Sequence, residues 1–256
     1  MQKTESPAGR GTVLVTGGSR GIGAATARLC AERGWAVAVN YTRDAAAADA
    51  VCAAIRQAGG RALAVQADVS DEAQVLAMYA RIDAELPPLA GLVNNAGVID
   101  VAARVDAMSV ARLRRMFDVN ILGSFLCARE AVRRLSTKHG GTGGAIVNIS
   151  SAAARIGSPN MYVDYAASKG AVETLTMGLA KEVATEGVRV NGVRPGIIDT
   201  EIHASGGLPD RARQSAALIP MQRPGTADEI AQAIVWLLSD EASYTTGALL
   251  DVTGGR

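Results

Sequence analysis

The feature that most constrains this chain is a strict alternation of short β-branched runs with long stretches rich in Ala and Leu. The runs lie at 12–15, 36–39, 62–65, 92–93, 145–149, 188–193 and 248–252, flanked by Gly, Asn or Asp. Short continuous apolar runs suit strands buried on both faces. The stretches 22–33, 45–58, 71–85, 110–135 and 163–186 read as helices. This order predicts an α/β fold: a doubly wound, mostly parallel sheet of seven strands with helices on both faces. No linker, internal repeat or charge block divides the chain. One domain over residues 11–256 is expected, after a flexible start at 1–10.

Composition narrows the function. With 256 residues the chain can bury a sizeable core without staples. Lys and Arg total 26 against 25 Asp and Glu, so no broad electrostatic footprint for nucleic acid or anionic lipid is expected. No apolar run reaches the length of a membrane span, and the first ten residues lack the apolar core of a signal peptide. Cys30, Cys52 and Cys127 are far apart and lack metal-ligand spacing, which predicts buried free thiols, no metal site and a cytoplasmic location.

Residues 16–24, Thr-Gly-Gly-Ser-Arg-Gly-Ile-Gly-Ala, lead from the first strand into the first helix. Glycines let backbone N–H groups approach an anion, and the helix N-terminus adds partial positive charge, so a dinucleotide pyrophosphate fits. The spacing differs from the usual GxGxxG fingerprint. The same residues contain Gly17-x-Ser19-x-Gly21, the nucleophile elbow of a serine hydrolase. Against that rival, Ser19 follows the very first strand, and the histidines are only His139 and His203. His139 reads as a surface turn and His203 as loop.

Further signals follow in order. Asn94-Asn-Ala-Gly97 ends a strand, Asn120 lies within the expected helix 110–135, and Ser150-Ser151 ends another strand. Tyr165-x-x-x-Lys169 then places a phenol and an amine one helical turn apart on one face. Tyr162 has no such partner, since Ala166 stands four residues on. Together with Pro195-Gly196, these motifs resemble the short-chain dehydrogenase/reductase family, in its single-domain Rossmann-type branch, over nearly the whole chain.

The resemblance implies reversible hydride transfer between NAD(P)(H) and an alcohol or carbonyl. Tyr165 is then the general acid/base. A free tyrosine has a pKa of about 10, and Lys169 with the oxidised cofactor would favour its ionised form. Ser151 would hydrogen-bond the substrate oxygen, and Asn120 would hold a water that links Lys169 to solvent. Gly17, Ser19, Gly21, Ile22 and Gly23 would surround the pyrophosphate, and Asp68 with Val69 would meet adenine. Asp68 or Ser70 could instead cap a helix. Asn94, Ala96 and Gly97 would follow the ribose and phosphates, and Pro195, Gly196, Ile198 and Thr200 the nicotinamide.

The second strand ends Asn40-Tyr41-Thr42-Arg43 without an acid, whereas NAD-specific folds carry one there. Arg20 and Arg43, with Asn40 and Thr42, could receive a 2′-phosphate, so NADP(H) is expected over NAD(H). Asp44 comes one step late and suits the next helix N-terminus.

Residues 199–224 resemble the family's substrate loop without naming a substrate. The overall pattern is similar to glucose dehydrogenase-like members and to 3-oxoacyl carrier-protein reductases. The second reading would want a basic patch, for which Arg155, Arg211 and Arg213 are candidates, so an acyl carrier protein partner stays open but unsupported. A silent nucleotide-binding regulator is the remaining alternative. On the helix at 165–186, Val172, Leu175, Leu179 and Val183 read as the core stripe. Ala166, Gly170, Glu173 and Met177 read as a face for pairing across a two-fold, and the resemblance implies a homotetramer.

Overall fold

The computed structural model describes residues 10–201, 206–208 and 210–256. The expectation for residues 1–10 therefore lies, Arg10 apart, outside the described residues, as does His203. Seven strands form one sheet: β1 (Thr12–Val15), β2 (Ala36–Tyr41), β3 (Ala62–Gln66), β4 (Leu89–Asn94), β5 (Gly144–Ile149), β6 (Val188–Pro195) and β7 (Leu249–Val252). Their order is β3-β2-β1-β4-β5-β6-β7, and every neighbouring pair is parallel. The chain winds outward from β1 to β3, then returns to place β4 on the other side of β1. That reversal opens a crevice at the carboxyl ends of β1 and β4, where ligands of doubly wound sheets bind.

Alternation within each strand builds two cores. Val13 and Val15 face the layer of α1 (Gly21–Glu32), α2 (Ala45–Gln57) and α9 (Ala227–Leu238). Leu14 faces the layer of α3 (Glu72–Glu85), α5 (Gly123–Leu135) and α7 (Val163–Val183). Cys30, Cys52 and Cys127 are free and buried, and burial pushes the Cys30 and Cys127 thiols up to about 12. They are inert packing residues, as their spacing suggested. Among the described residues no helix is long and apolar enough to cross a membrane.

Three expectations need correction. The single helix 110–135 is two, α4 (Val110–Phe117) and α5, joined by a π-helical turn at Asp118–Leu122. The stretches read from sequence omit α9, although Thr226 and Glu229 form the reciprocal capping box that marks its start. On α7 the buried line runs through Val172, Thr176, Ala180 and Val183, with Ala166 also inside, while Leu175 and Leu179 are half-buried. Thr176 is admitted to the core because its hydroxyl donates to the Val172 carbonyl (2.8 Å) and accepts from Asn148 Nδ2 (2.9 Å).

Candidate active site

The loop after β1 is built for close backbone approach. Gly17 and Gly21 have φ of +60° and +51°, and a Cβ on Gly23 would lie 2.3 Å from the Gly17 carbonyl oxygen. Arg20, at the N-cap of α1, offers no side-chain cap, and no acid occupies the first helical turn. These features leave an N-terminal turn suited to a phosphate group, so the fold's implied dinucleotide fits. Gly17, Ser19, Gly21, Ile22 and Gly23 are the residues that would hold it.

Two asparagines expected at the cofactor have side chains engaged within the protein. Asn40 is buried; its Oδ1 accepts from Gly17 N (3.1 Å) and its Nδ2 donates to the carbonyls of Ala67 (3.0 Å) and Val65 (3.3 Å). It fixes the glycine loop to the sheet and has no amide hydrogen left for a 2′-phosphate. Asn94 is buried too, and its side chain donates to Ser124 O and Asn148 Oδ1, tying β4 to α5 and β5. Its neighbour Asn95 lines the crevice instead and donates to the carbonyls of Thr16 (2.9 Å) and Gly17 (3.0 Å).

The other residues expected at the cofactor differ in exposure. Arg20, Thr42 and Arg43 are exposed and Tyr41 is half-buried. Asp44 caps α2 by accepting from Ala47 N (2.9 Å). Asp68 accepts from the Ser70 amide and hydroxyl, while Asp71, rather than Asp68 or Ser70, caps α3. Val69 is buried against Gly123, where a Cβ would come within 2.7 Å of Val69 Cγ2. Ala96 is half-buried and its amide donates to Thr16 Oγ1.

One cavity of about 140 Å³ collects the chemistry-bearing residues. Ser151, Tyr165 and Lys169 line it with Ile22, Gly97, Pro195, Gly196, Ile198 and Thr200. Ser151 leaves β5 half-buried, and its Oγ accepts from Ala153 N (3.1 Å). Ser150 also borders the cavity, but its hydroxyl is engaged in donating to Glu173 (2.8 Å). Lys169 is only 4% exposed, and its Nζ donates to the Ile149 carbonyl (2.7 Å) 5.6 Å from the centre of the Tyr165 ring. Burial lowers the Lys169 pKa from 10.5 to about 8.

Asn120 sits in the π-helical turn and is buried. Its Oδ1 accepts from Val98 N (2.8 Å), and its Nδ2 donates to Val98 O and Ser168 Oγ (both 3.0 Å). A Cβ on Gly97 would lie 3.4 Å from Asn120 Oδ1 and 3.5 Å from Lys169 Nζ, so these two side chains border one small space. Tyr162, buried under the cavity, donates to the Gly206 carbonyl (3.4 Å). His139 lies in an exposed turn before β5, at the amino-terminal end of the parallel strands, whereas Ser19 follows the carboxyl end of β1, so it cannot serve a hydrolase there.

Residues 17–256 match the family described as Enoyl-(Acyl carrier protein) reductase. An uncharacterized oxidoreductase, YgfF, of Escherichia coli is 58% identical over 95% of this chain and 98% of its own. A cis-4-hydroxycyclohexanecarboxylate dehydrogenase of Sinomonas cyclohexanicum is 44% identical over 94% of both chains. A solved dehydrogenase/reductase from Sinorhizobium meliloti superposes with a TM-score of 0.87 at 36% identity, covering 95% of this chain and 94% of its own. With its seven parallel strands, its glycine loop and Tyr165 and Lys169 on one cavity wall, the chain belongs to the short-chain dehydrogenase/reductase family.

Proposed function

We propose that this protein oxidises a small alcohol or reduces the matching carbonyl, with NADP(H) preferred over NAD(H). The observation that carries the reading is the convergence of Ser151, Tyr165 and Lys169 on one cavity beside the glycine loop. When bound, the nicotinamide accepts or supplies the hydride. Tyr165 moves the proton, so an alcohol that loses one hydride and one proton becomes its ketone, and reduction returns both. Ser151 Oγ donates to the substrate oxygen and stabilises charge growing on it. Protonated Lys169 favours the phenolate of Tyr165. Asn120 fixes the loop at Val98 beside Lys169 and borders the space through which a water would reach the amine.

The cofactor preference rests on the end of β2. The first acid after it, Asp44, is occupied as a helix cap, and Arg20 and Arg43 are exposed with no ion pair among the described residues. An acyl carrier protein is a poorer fit than a small molecule, since Arg155 is paired with Asp251 at 2.8 Å. Ala166 is buried and Glu173 is paired with Arg194, so the cover by a second copy of the chain is proposed instead for the α5–α7 face, where Phe125, Leu175 and Leu179 border a groove carrying both Arg133 and Glu182. A self-complementary patch of this kind suits a two-fold. Light scattering that found only a 26.3 kDa species would contradict it.

The test is direct. The protein is mixed with NADPH or NADH and a panel of activated ketones, keto esters and quinones, and cofactor absorbance is followed. Turnover faster with NADPH supports the reading. Ester hydrolysis without cofactor would return the hydrolase, and cofactor binding without any turnover would return the silent regulator.

A further inference from the structure

The cavity has a charge asymmetry that its catalytic residues do not use. Its lining includes two cationic side chains, Lys169 and Arg256, and no acidic side chain. Lys169 is buried at the floor and bonded to Ile149 O. Arg256 is exposed, and among the described residues it makes no ion pair. Other arginines of this region are engaged: Arg155 with Asp251, Arg194 with Glu173, Arg112 with Asp164 and Arg223 with Glu229.

Arg256 reaches the cavity by a backbone path made for it. Gly196 N donates to Val252 O (3.0 Å), and a Cβ on Gly196 would lie 2.8 Å from Thr253 Cα, so the tail packs directly on the turn after β6. Met221 N then holds Gly254 O (3.1 Å), fastening the tail to the loop on its other side. Gly254 and Gly255 follow with φ of +65° and +91°, conformations that side-chain-bearing residues adopt only with strain. Two left-handed glycines thus turn the chain so that the next residue borders the cavity. The neighbouring wall, Ile99, Ile156, Tyr162 and Ile197, is largely apolar.

We propose that Arg256 is a specificity-determining residue that selects substrates bearing a carboxylate: hydroxy acids or oxo acids with a short apolar body. The acid pairs with the guanidinium, the hydrocarbon lies on the isoleucines, and the reacting carbon lies by Ser151 and Tyr165. Arginine suits this task because its planar fork matches a carboxylate in two parallel hydrogen bonds. This inference rests on the hydride-transfer reading and names the substrate class of that site.

The test uses two probes of matched shape, 4-oxopentanoate and 4-oxopentanamide. Reduction of each is measured as kcat/KM, and binding of each is measured by titration calorimetry, with wild type, Arg256→Ala and Arg256→Lys. Wild type should favour the acid by about tenfold at low salt, the scale of one charge-assisted contact. The preference should shrink as salt screens the exposed guanidinium. Arg256→Ala should bring the acid-to-amide ratio near one in both assays, and Arg256→Lys should restore part of it. A ratio unchanged by Arg256→Ala, or a wild type that favours the amide, overturns the proposal. If neither probe turns over but the acid binds in an Arg256-dependent way, the hydride reading fails and the carboxylate site stands.

Discussion

Arg112 grips Asp164, the residue before Tyr165, through Nε–Oδ2 and Nη2–Oδ1 contacts of 2.7 and 3.1 Å. Asp164's side chain is fully buried and Arg112's is 10% exposed. Arg112 also donates to the Val101 carbonyl, so one side chain fastens α4, the loop after β4 and the first turn of α7. Arg112→Ala leaves a buried carboxylate without its partner. Breaking such a pair costs about 3–5 kcal/mol. Urea unfolding should show a loss of that order, and a loss below about 1 kcal/mol would mean the pair does not hold the turn.

Lys169 opposes stability in a defined pH window. Its folded pKa is about 8 against an ordinary 10.5, so between those values the unfolded chain binds more protons and stability rises with pH. Below pH 8 the full cost of burying the charge is present, about 3 kcal/mol from the size of the shift. Lys169→Met should therefore unfold at higher urea than wild type near pH 7, with the gain fading as pH approaches 10.5. The variant should also lose turnover, a trade of stability against function. An equal gain at both ends of that range would show that burial of charge is not the cause.

The sheet was legible in the sequence because buried parallel strands need continuous β-branched runs, and 12–15 or 145–149 can serve nothing else well. The pairing of Tyr165 with Lys169 was legible from helical spacing alone. The internal bonds of the Asn40 and Asn94 side chains were not legible because an asparagine at a strand end reads the same whether it faces a ligand or a neighbouring carbonyl. Only the third dimension decides between those. Thr176 was missed for a related reason: a hydroxyl enters the core when a partner such as Asn148 satisfies it, and that partner is 28 residues away. Arg256 gave no motif at all, since its place depends on the turn after β6 and on the loop at Met221.

Gly23→Ala tests the glycine loop. The added methyl would meet the Gly17 carbonyl oxygen, a backbone atom, and Asn95 Nδ2 (2.7 Å), which is held by its bonds to the Thr16 and Gly17 carbonyls. The loop must shift, at a cost of about 1–3 kcal/mol for overpacking. NADPH affinity, followed by fluorescence titration, should fall at least about tenfold. Unchanged affinity would place the pyrophosphate elsewhere.

The 2′-phosphate reading predicts a selective loss. Arg20→Ala and Arg43→Ala should each weaken NADPH binding by roughly tenfold, the lower end for a charge-assisted contact, and leave NADH nearly unaffected. Equal weakening of both cofactors would point to a general phosphate contact, and no weakening would make both arginines solvated surface residues.

In the proposed reaction Tyr165 transfers the proton. Tyr165→Phe removes the hydroxyl and little volume, so it separates chemistry from binding. Turnover of an activated ketone with NADPH, measured beside the NADPH dissociation constant, tests this most directly. A positioned acid/base contributes about 10²–10⁴-fold, so turnover should fall by that factor with cofactor affinity within about twofold of wild type. A variant that kept more than about a tenth of wild-type turnover would contradict the assignment, because a catalytic proton donor cannot be removed so cheaply.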